Sequence, residues 1–187
     1  MGRGAGQVNA ETKLSLAALN AMSEADFIAS LGDIYEHAPW VARAAASARP
    51  FAGRLMLHET MAEIVRSAEP GLQLALLNAH PELGQAGKLT PDSTREQRHG
   101  GFHRLPAAEA TKLAELNTAY RRKFGFPFII AVRGQRDFTA ILANLESRLA
   151  NAPDEERLTA IEEVTKIAGF RLDLRLPEPV PEPEGTA

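Results

Sequence analysis

Hydrophobic residues recur at intervals of three and four along most of the chain, the spacing that places side chains on one face of an α-helix. The first such stretch predicts an amphipathic helix over about residues 24–37. Ser23 stands before it and Asp26 follows three residues later, an arrangement that resembles a capping box. The regular structure is therefore expected to begin as a helix with a defined start.

The same spacing, with proline and glycine at the boundaries, predicts further helices downstream. They are one with apolar positions from Leu55 to Val65 that ends before Pro70, a short one over Leu72–Leu77, one from Pro106 to near Gly125, one over about 137–150, and one that starts near Asp154. The segment Phe126–Val132 departs from the pattern, because it is an unbroken apolar run with β-branched residues. It could be a buried extended segment or the start of a helix.

These elements predict an all-α fold, a single-domain helical bundle. A chain of 187 residues is too short to divide into two domains with sizeable cores. We expect the domain to cover residues 14–176, after a polar, glycine-containing and flexible N-terminus at 1–13. Residues 177–187 read PEPVPEPEGTA, a flexible Pro/Glu-rich tail in which proline prevents regular backbone hydrogen bonding.

Composition and charge exclude several classes of function. The 21 Lys and Arg residues against 24 Asp and Glu residues give a net charge of -3, which disfavours a nucleic-acid partner. The absence of cysteine excludes disulfides, thiolate metal ligands and a cysteine nucleophile, and a reducing cytoplasm is consistent with it. No run of eighteen apolar residues and no secretory signal pattern occur, so neither a membrane nor export is indicated.

The most polar interior stretch begins at His80 and lies between two predicted helices. Pro81 biases the residue before it towards extended backbone, so His80 should end a helix with its imidazole held by local geometry. Imidazole titrates near neutral pH and suits acid–base chemistry. The alternative is a histidine that caps a helix carbonyl or pairs with a carboxylate. No metal is expected, since His99 and His103 have i, i+4 spacing without an HExxH context.

Further polar candidates follow. Ser93 and Glu96, with Gln97, form S-x-x-E-Q, which indicates a capping box that opens a helix, and a helix start can also hold an anionic substrate. Lys88, Arg95 and Arg98 could add positive charge or be solvated surface residues. Arg171 lies in an apolar setting near the end of the last helix, where a guanidinium either pairs with a buried carboxylate or binds a ligand.

The chain resembles the 2-oxo-4-hydroxy-4-carboxy-5-ureidoimidazoline (OHCU) decarboxylases of the ureide pathway. The resemblance spans about residues 24–176 and rests on a series of motifs in order: EHAPWVA at 36–42, RPF at 49–51, HPELG at 80–84, LTPDSTREQ at 89–97, LNTAYRRKFGFPFIIAVRG at 116–134 and KIAGFRL at 166–172. The first site motif departs from the family's usual HPDLA at Glu82 and Gly84, while His80 and Pro81 remain.

The resemblance implies site residues and a fold. His80 would be the catalytic acid–base residue, with Glu96 as its carboxylate partner. The implied substrate contacts are Pro81, Ser93, Thr94, Arg95, Gln97, Arg171 and a pocket wall made of Phe128, Ile129, Ile130, Ala131 and Val132. The implied fold is the helical bundle of this family, commonly a homodimer, with no cofactor and no metal.

The implied reaction is the decarboxylation of OHCU to (S)-allantoin in urate degradation, with a proton placed on one face by His80 and Glu96. No cofactor is required, because the ring C=N next to the carboxylate-bearing carbon accepts the electrons released with CO2. The pathway implies hydroxyisourate hydrolase as a coupled enzyme. The rival hypothesis is a helical binding module that kept this scaffold and lost catalysis, against which the retained site residues argue.

Overall fold

The computed structural model describes residues 14–84, 89–99, 102 and 105–177, and its secondary structure there is helical throughout. The α-helices in these ranges are α1 (Leu16–Ala21), α2 (Glu24–Leu31), α3 (Pro39–Ala46), α4 (Arg54–Arg66), α5 (Pro70–Ala79), α6 (Pro91–His99), α7 (Ala107–Phe124), α8 (Phe138–Arg148) and α9 (Pro153–Arg175). A 3-10 turn covers Val132–Gly134. No β-strand occurs within these residues, which confirms the all-α fold.

The long helix α9 is the centre of the bundle. Its 23 residues span about 35 Å at 1.5 Å per residue, and it packs against α4, α5 and α7. Helices α2, α3 and α4 pack in sequence on one another. Because α9 has neighbours on several sides, it buries polar as well as apolar residues, among them Glu156, Glu163 and Arg171.

Several helix boundaries follow from the local sequence signals. The Ser23 hydroxyl accepts the Asp26 amide at 3.1 Å and so caps α2 as predicted. Gly125 ends α7 with φ of 80°, a left-handed conformation that glycine adopts without strain. Pro70 and Pro153 occupy the first turns of α5 and α9, where a missing amide hydrogen costs no helical bond.

The structure corrects two of the helix predictions. The helix expected over 24–37 ends at Leu31, and the chain then turns before α3 begins at Pro39. The helix expected to open at Ser93 begins two residues earlier, because the Thr90 hydroxyl accepts the Ser93 amide at 3.2 Å. Ser93 is therefore inside α6, and its side chain is available for other contacts.

The apolar run from Phe126 to Val132 is buried and is neither helix nor strand up to the 3-10 turn at its end. The backbone of Ala131, just before that turn, is extended, and we call this run the extended segment. It has no strand beside it, so its backbone polar groups need side-chain partners. No helix among the described residues is long and apolar enough to cross a membrane. The predicted flexible ends, 1–13 and 177–187, lie outside the described residues apart from Pro177.

Candidate active site

A cavity of about 200 Å³ lies where the end of α5, helix α6, the extended segment and α9 meet. The predicted site residues that line it are His80, Pro81, Ser93, Arg95, Glu96, Gln97, Phe128, Ile129, Ile130, Ala131, Val132 and Arg171. Thr94 is the predicted residue that does not line it, because the helical twist turns the residue after Ser93 away. Sequence reasoning missed the apolar side chains that complete the wall from α9, which are Ile167, Phe170 and Leu174.

His80 is held at the end of α5 with one ring nitrogen occupied. Its backbone is extended, with ψ of 140°, as the following Pro81 favours. Nδ1 donates to the Leu76 carbonyl at 2.9 Å, since a carbonyl oxygen can only accept. The other nitrogen, Nε2, is then the unprotonated one in the neutral ring. Burial lowers the pKa of His80 to about 4, so the imidazole is neutral at pH 7.

Arg171 reaches the cavity from α9 and pairs with two carboxylates. Its Nε and Nη2 donate to the two oxygens of Glu96 at 2.8 and 2.9 Å, a bidentate pair. Its Nη1 lies 2.8 Å from an oxygen of Glu36. Burial works to lower the pKa of Arg171, but the two carboxylates outweigh it and raise the pKa. Of the two roles that the sequence left open, carboxylate pairing is therefore present in this structure.

Sequence reasoning missed Glu36, a buried charge behind the cavity, as well as Asp92 and Arg133, which line it. The Glu36 carboxylate is 2% exposed and accepts hydrogen bonds from Thr90 at 2.7 Å and from Ser93 at 3.1 Å. Burial works to raise the pKa of Glu36, but Arg171 and the Thr90 hydrogen bond outweigh it and lower the pKa. Glu36 begins the EHAPWVA motif, but its place in a predicted amphipathic helix gave no sign of a buried charge.

Glu96 and His80 line the same cavity without a direct bond between them. Among the described residues no hydrogen bond joins the two, and the Glu96 carboxylate lies on Arg171 instead. The Glu96 side chain is 31% exposed, whereas Glu36 is nearly sealed. Glu96 is therefore the more accessible of the two carboxylates around Arg171.

Gln97 holds the loop that follows His80. Its side-chain oxygen accepts the Gly84 amide at 3.1 Å, and its nitrogen donates to the Glu82 carbonyl at 3.2 Å. Gly84 has φ of 77°, and a Cβ there would stand 2.7 Å from a methyl carbon of Leu113. Glycine is thus favoured at this departure from the family motif, because alanine would be strained by the positive φ and would displace the Leu113 side chain.

The extended segment that forms the cavity wall is held by two buried side chains. Arg148 donates to the Ile129 carbonyl at 2.9 Å, and its guanidinium lies 4.7 Å from the Phe128 ring centroid. Glu163 accepts the Ala131 amide at 2.7 Å. These two contacts replace the ladder partners that a strand would have.

No group of three His, Asp or Glu side chains in the described residues could hold a metal ion. Of the histidine pair considered from the sequence, His103 lies outside the described residues.

The family model for OHCU decarboxylase matches residues 20–173. The 2-oxo-4-hydroxy-4-carboxy-5-ureidoimidazoline decarboxylase of Halalkalicoccus jeotgali is 40% identical over 162 residues, which cover 87% of this chain and 92% of that protein. A solved structure of (S)-allantoin synthase matches with a TM-score of 0.72 and 32% identity over 87% of this chain, which spans only 54% of that one.

A second solved structure, of OHCU decarboxylase in the presence of (S)-allantoin, matches with a TM-score of 0.63 and 25% identity, over 82% of this chain and 97% of that one. The match of motifs, sequence and fold extends over most of the chain. The chain belongs to the OHCU decarboxylase family.

Proposed function

We propose that this protein catalyses the cofactor-independent decarboxylation of OHCU to (S)-allantoin, a step of urate degradation. The observation that carries the proposal is the meeting of His80, Ser93, Glu96 and Arg171 in one cavity of a chain from this family. A cavity of about 200 Å³ has room for a small ring compound and is far larger than a single water molecule requires.

The reaction needs no electron acceptor from the protein. When the bond between C4 and the carboxylate breaks, its electron pair forms a C4=C5 double bond, and the adjacent C=N pair moves to nitrogen, which takes a proton. The resulting enol loses its C4 hydroxyl proton while C5 gains one, which gives allantoin. The protein must orient the carboxylate across the ring plane and deliver the C5 proton to one face.

His80 has the protonation state for this proton transfer. It starts neutral, with Nε2 able to accept the hydroxyl proton and return it to C5. We assign Glu96 as its carboxylate partner. Glu96 is the less buried carboxylate on Arg171 and is the one able to exchange partners when the substrate carboxylate approaches the guanidinium.

The other lining residues would bind and enclose the substrate. Ser93 and Arg95 present polar groups from α6, as Gln97 does from its place beside the loop. The wall from Phe128 to Val132, with Pro81, supplies an apolar surface that excludes water from the carboxylate.

We further propose a cytoplasmic homodimer that receives its substrate from the hydroxyisourate hydrolase reaction. The dimer and the pathway link are supported by the family resemblance, and the cytoplasmic location is supported by the cysteine-free composition. Size-exclusion chromatography with light scattering would measure the assembly.

The activity is tested by circular dichroism on allantoin formed from urate by urate oxidase and hydroxyisourate hydrolase, with and without this protein. We expect a fast (S)-allantoin signal from the wild type. His80→Asn should lower the decarboxylation rate by about 10²- to 10⁴-fold, because it removes the acid–base group. Slow, optically silent decay in the presence of folded wild-type protein would contradict the proposal and favour a binding module.

The control is Arg43→Gln. Arg43 is exposed on α3 and does not line the cavity. This variant should retain the wild-type rate and stereochemistry.

A further inference from the structure

Glu36 lies behind the cavity rather than in its wall, and three donor groups hold the two oxygens of its carboxylate. Thr90 donates to Oε1, the Ser93 hydroxyl donates at 3.1 Å to both oxygens, and Arg171 Nη1 lies 2.8 Å from Oε2. Glu36 thus joins the turn after α2 to both α6 and α9. A carboxylate held by this many donors has no freedom to swing into the cavity.

The bond from Ser93 to Glu36 sets the direction of hydrogen bonding at Ser93. A hydroxyl has one proton, and an ionised carboxylate can only accept, so the Ser93 proton points to Glu36. The oxygen of Ser93 then has only lone pairs for other partners. Consistent with this, Arg171 Nη2 points at it as a donor from 3.4 Å.

The contact with Arg171 divides the guanidinium between two carboxylates. Glu36 pairs with Nη1 on the buried side of the guanidinium. Glu96 accepts hydrogen bonds from Nε and Nη2 on the side that faces the cavity. Glu36 would therefore keep Arg171 in place and partly neutralised when Glu96 changes partner. An arginine buried to 3% side-chain exposure is costly without such a partner.

We propose that Glu36 is a positioning residue, which makes Ser93 a pure hydrogen-bond acceptor and keeps the Nε and Nη2 edge of Arg171 directed at the cavity. The substrate group opposite Ser93 is then a hydrogen-bond donor, and the group opposite Arg171 is an anion. This inference rests on the proposed function for the identity of the substrate, but its geometric part does not.

The first experiment compares Glu36→Gln with the wild type in the allantoin assay. The amide keeps the size of the side chain, removes the charge and introduces a donor, so Ser93 and Arg171 lose their fixed orientation. We expect kcat/KM to fall by about 10²-fold, as small displacements of substrate-positioning groups do, with kcat reduced as well as KM raised. Unchanged kcat and KM in a folded variant would overturn the proposal.

The matched control is Glu162→Gln. Glu162 also accepts two hydrogen bonds from an arginine, Arg66, but this pair lies on the surface outside the site. Its kinetic constants should equal those of the wild type.

A double-mutant cycle tests whether Glu36 acts through Ser93. If it does, adding Glu36→Gln to Ser93→Ala should cost less than Glu36→Gln alone, because the shared contact is already lost. Fully additive effects on kcat/KM would overturn this part of the proposal.

A second variant covers the case in which Glu36→Gln fails to fold. Thr90→Ala removes one hydrogen bond from Glu36 and leaves its charge, and Thr90→Ser keeps the hydroxyl. We expect a smaller fall in kcat/KM for the alanine variant, with recovery in the serine variant. Equal kcat/KM values for Thr90→Ala and Thr90→Ser would overturn the proposal.

A measurement independent of catalysis separates this inference from the proposed function. The Arg171 Nε–H signal in nitrogen-15 NMR should be slow to exchange in the wild type and should exchange faster in Glu36→Gln. An unchanged exchange rate in that variant overturns the inference, even if the wild type proves to be an active decarboxylase. An inactive wild type with the expected change in exchange would contradict only the proposed function.

Discussion

At the scale of single residues, burial determines the ionisation state that His80 brings to the cavity. His80 is 7% exposed, and loss of solvation penalises the charged imidazolium more than the nearby Glu36 carboxylate stabilises it. The bond from Nδ1 to Leu76 then selects the tautomer. His80 is therefore a proton acceptor at Nε2 at the start of a cycle.

This ionisation state predicts a loss of stability in acid. The folded-state pKa of about 4 lies below the unfolded value of about 6.5, so between these values only the unfolded chain binds the proton. The contribution of neutral His80 to the free energy of unfolding is fully present above about pH 6.5. It falls by on the order of 3 kcal/mol as the pH drops from 6.5 to 4. Urea unfolding across this range should show a smaller decline for His80→Asn than for the wild type.

The control for this measurement is again Arg43→Gln, an exposed change outside the cavity that should follow the wild-type curve. The pKa of Glu36 is lowered, so its contribution to the free energy of unfolding also falls as the pH drops. Glu36 is present in both the wild type and His80→Asn, so this contribution does not distinguish them. Parallel curves for the wild type and His80→Asn would contradict the assignment of a neutral His80.

At the scale of elements, the extended segment shows how a wall can form without a sheet. Residues 128–132 are buried, and a central strand would satisfy their peptide groups by pairing with a neighbour. Here Arg148 donates a hydrogen bond to the Ile129 carbonyl, and the Glu163 carboxylate accepts one from the Ala131 amide. Helices α8 and α9 thus determine where the wall stands.

The Glu163 contact predicts a difference between two substitutions. Glu163→Ala leaves the buried Ala131 amide without a partner and should destabilise the fold by about 1–3 kcal/mol, whereas Glu163→Gln keeps an oxygen acceptor and should cost less. Urea unfolding measures the difference, and KM should rise with the alanine change. Equal stability of the two variants would show that the amide does not depend on this side chain.

Helix α6 shows why a correct motif can be placed in the wrong local role. S-x-x-E is typical of a capping box, but Thr90 caps the helix and Pro91 begins it. Ser93 and Glu96 are three residues apart inside the helix and so share one face, which is the face that meets Arg171. The sequence identified the two residues, and the position of α9 decided their partners.

At the scale of the whole molecule, a buried polar network joins three helices beneath the cavity wall. Arg148 of α8 lies 2.6 Å from Glu156 of α9, whose carboxylate is 0% exposed. Tyr120 of α7 and Asn151 also donate to Glu156. Burial and the Glu156 contact raise the pKa of Tyr120, so its hydroxyl keeps its proton. The network ties the packing of the bundle to the wall of the site.

This network predicts a large effect from a single change. Arg148→Met leaves the Glu156 charge buried and the Ile129 carbonyl unpaired, and should destabilise the fold by about 3–5 kcal/mol. The comparison is Arg66→Met, which breaks a partly exposed pair with Glu162 and should cost at most about 1 kcal/mol. Similar unfolding midpoints in urea for the two variants would contradict the structural importance of the network.

The sequence by itself determined the helical class, most helix positions and the residue types of the site. Caps and periodicity act within a few residues, which is why the starts after Ser23 and near Asp154 and the end near Gly125 were predictable. The extended backbone of His80 was predictable for the same reason, because Pro81 acts on its neighbour.

Only the tertiary structure decided which charges meet. Arg171 and Glu96 are 75 positions apart, and Ser93 and Glu36 are 57 apart, so no local signal joins them. The burial of Glu36 depends on the turn after α2 packing against both α6 and α9, and the geometry of the wall depends on Arg148 and Glu163. The energy of a buried charge is determined by all the partners that surround it, and those partners come together only when the chain folds.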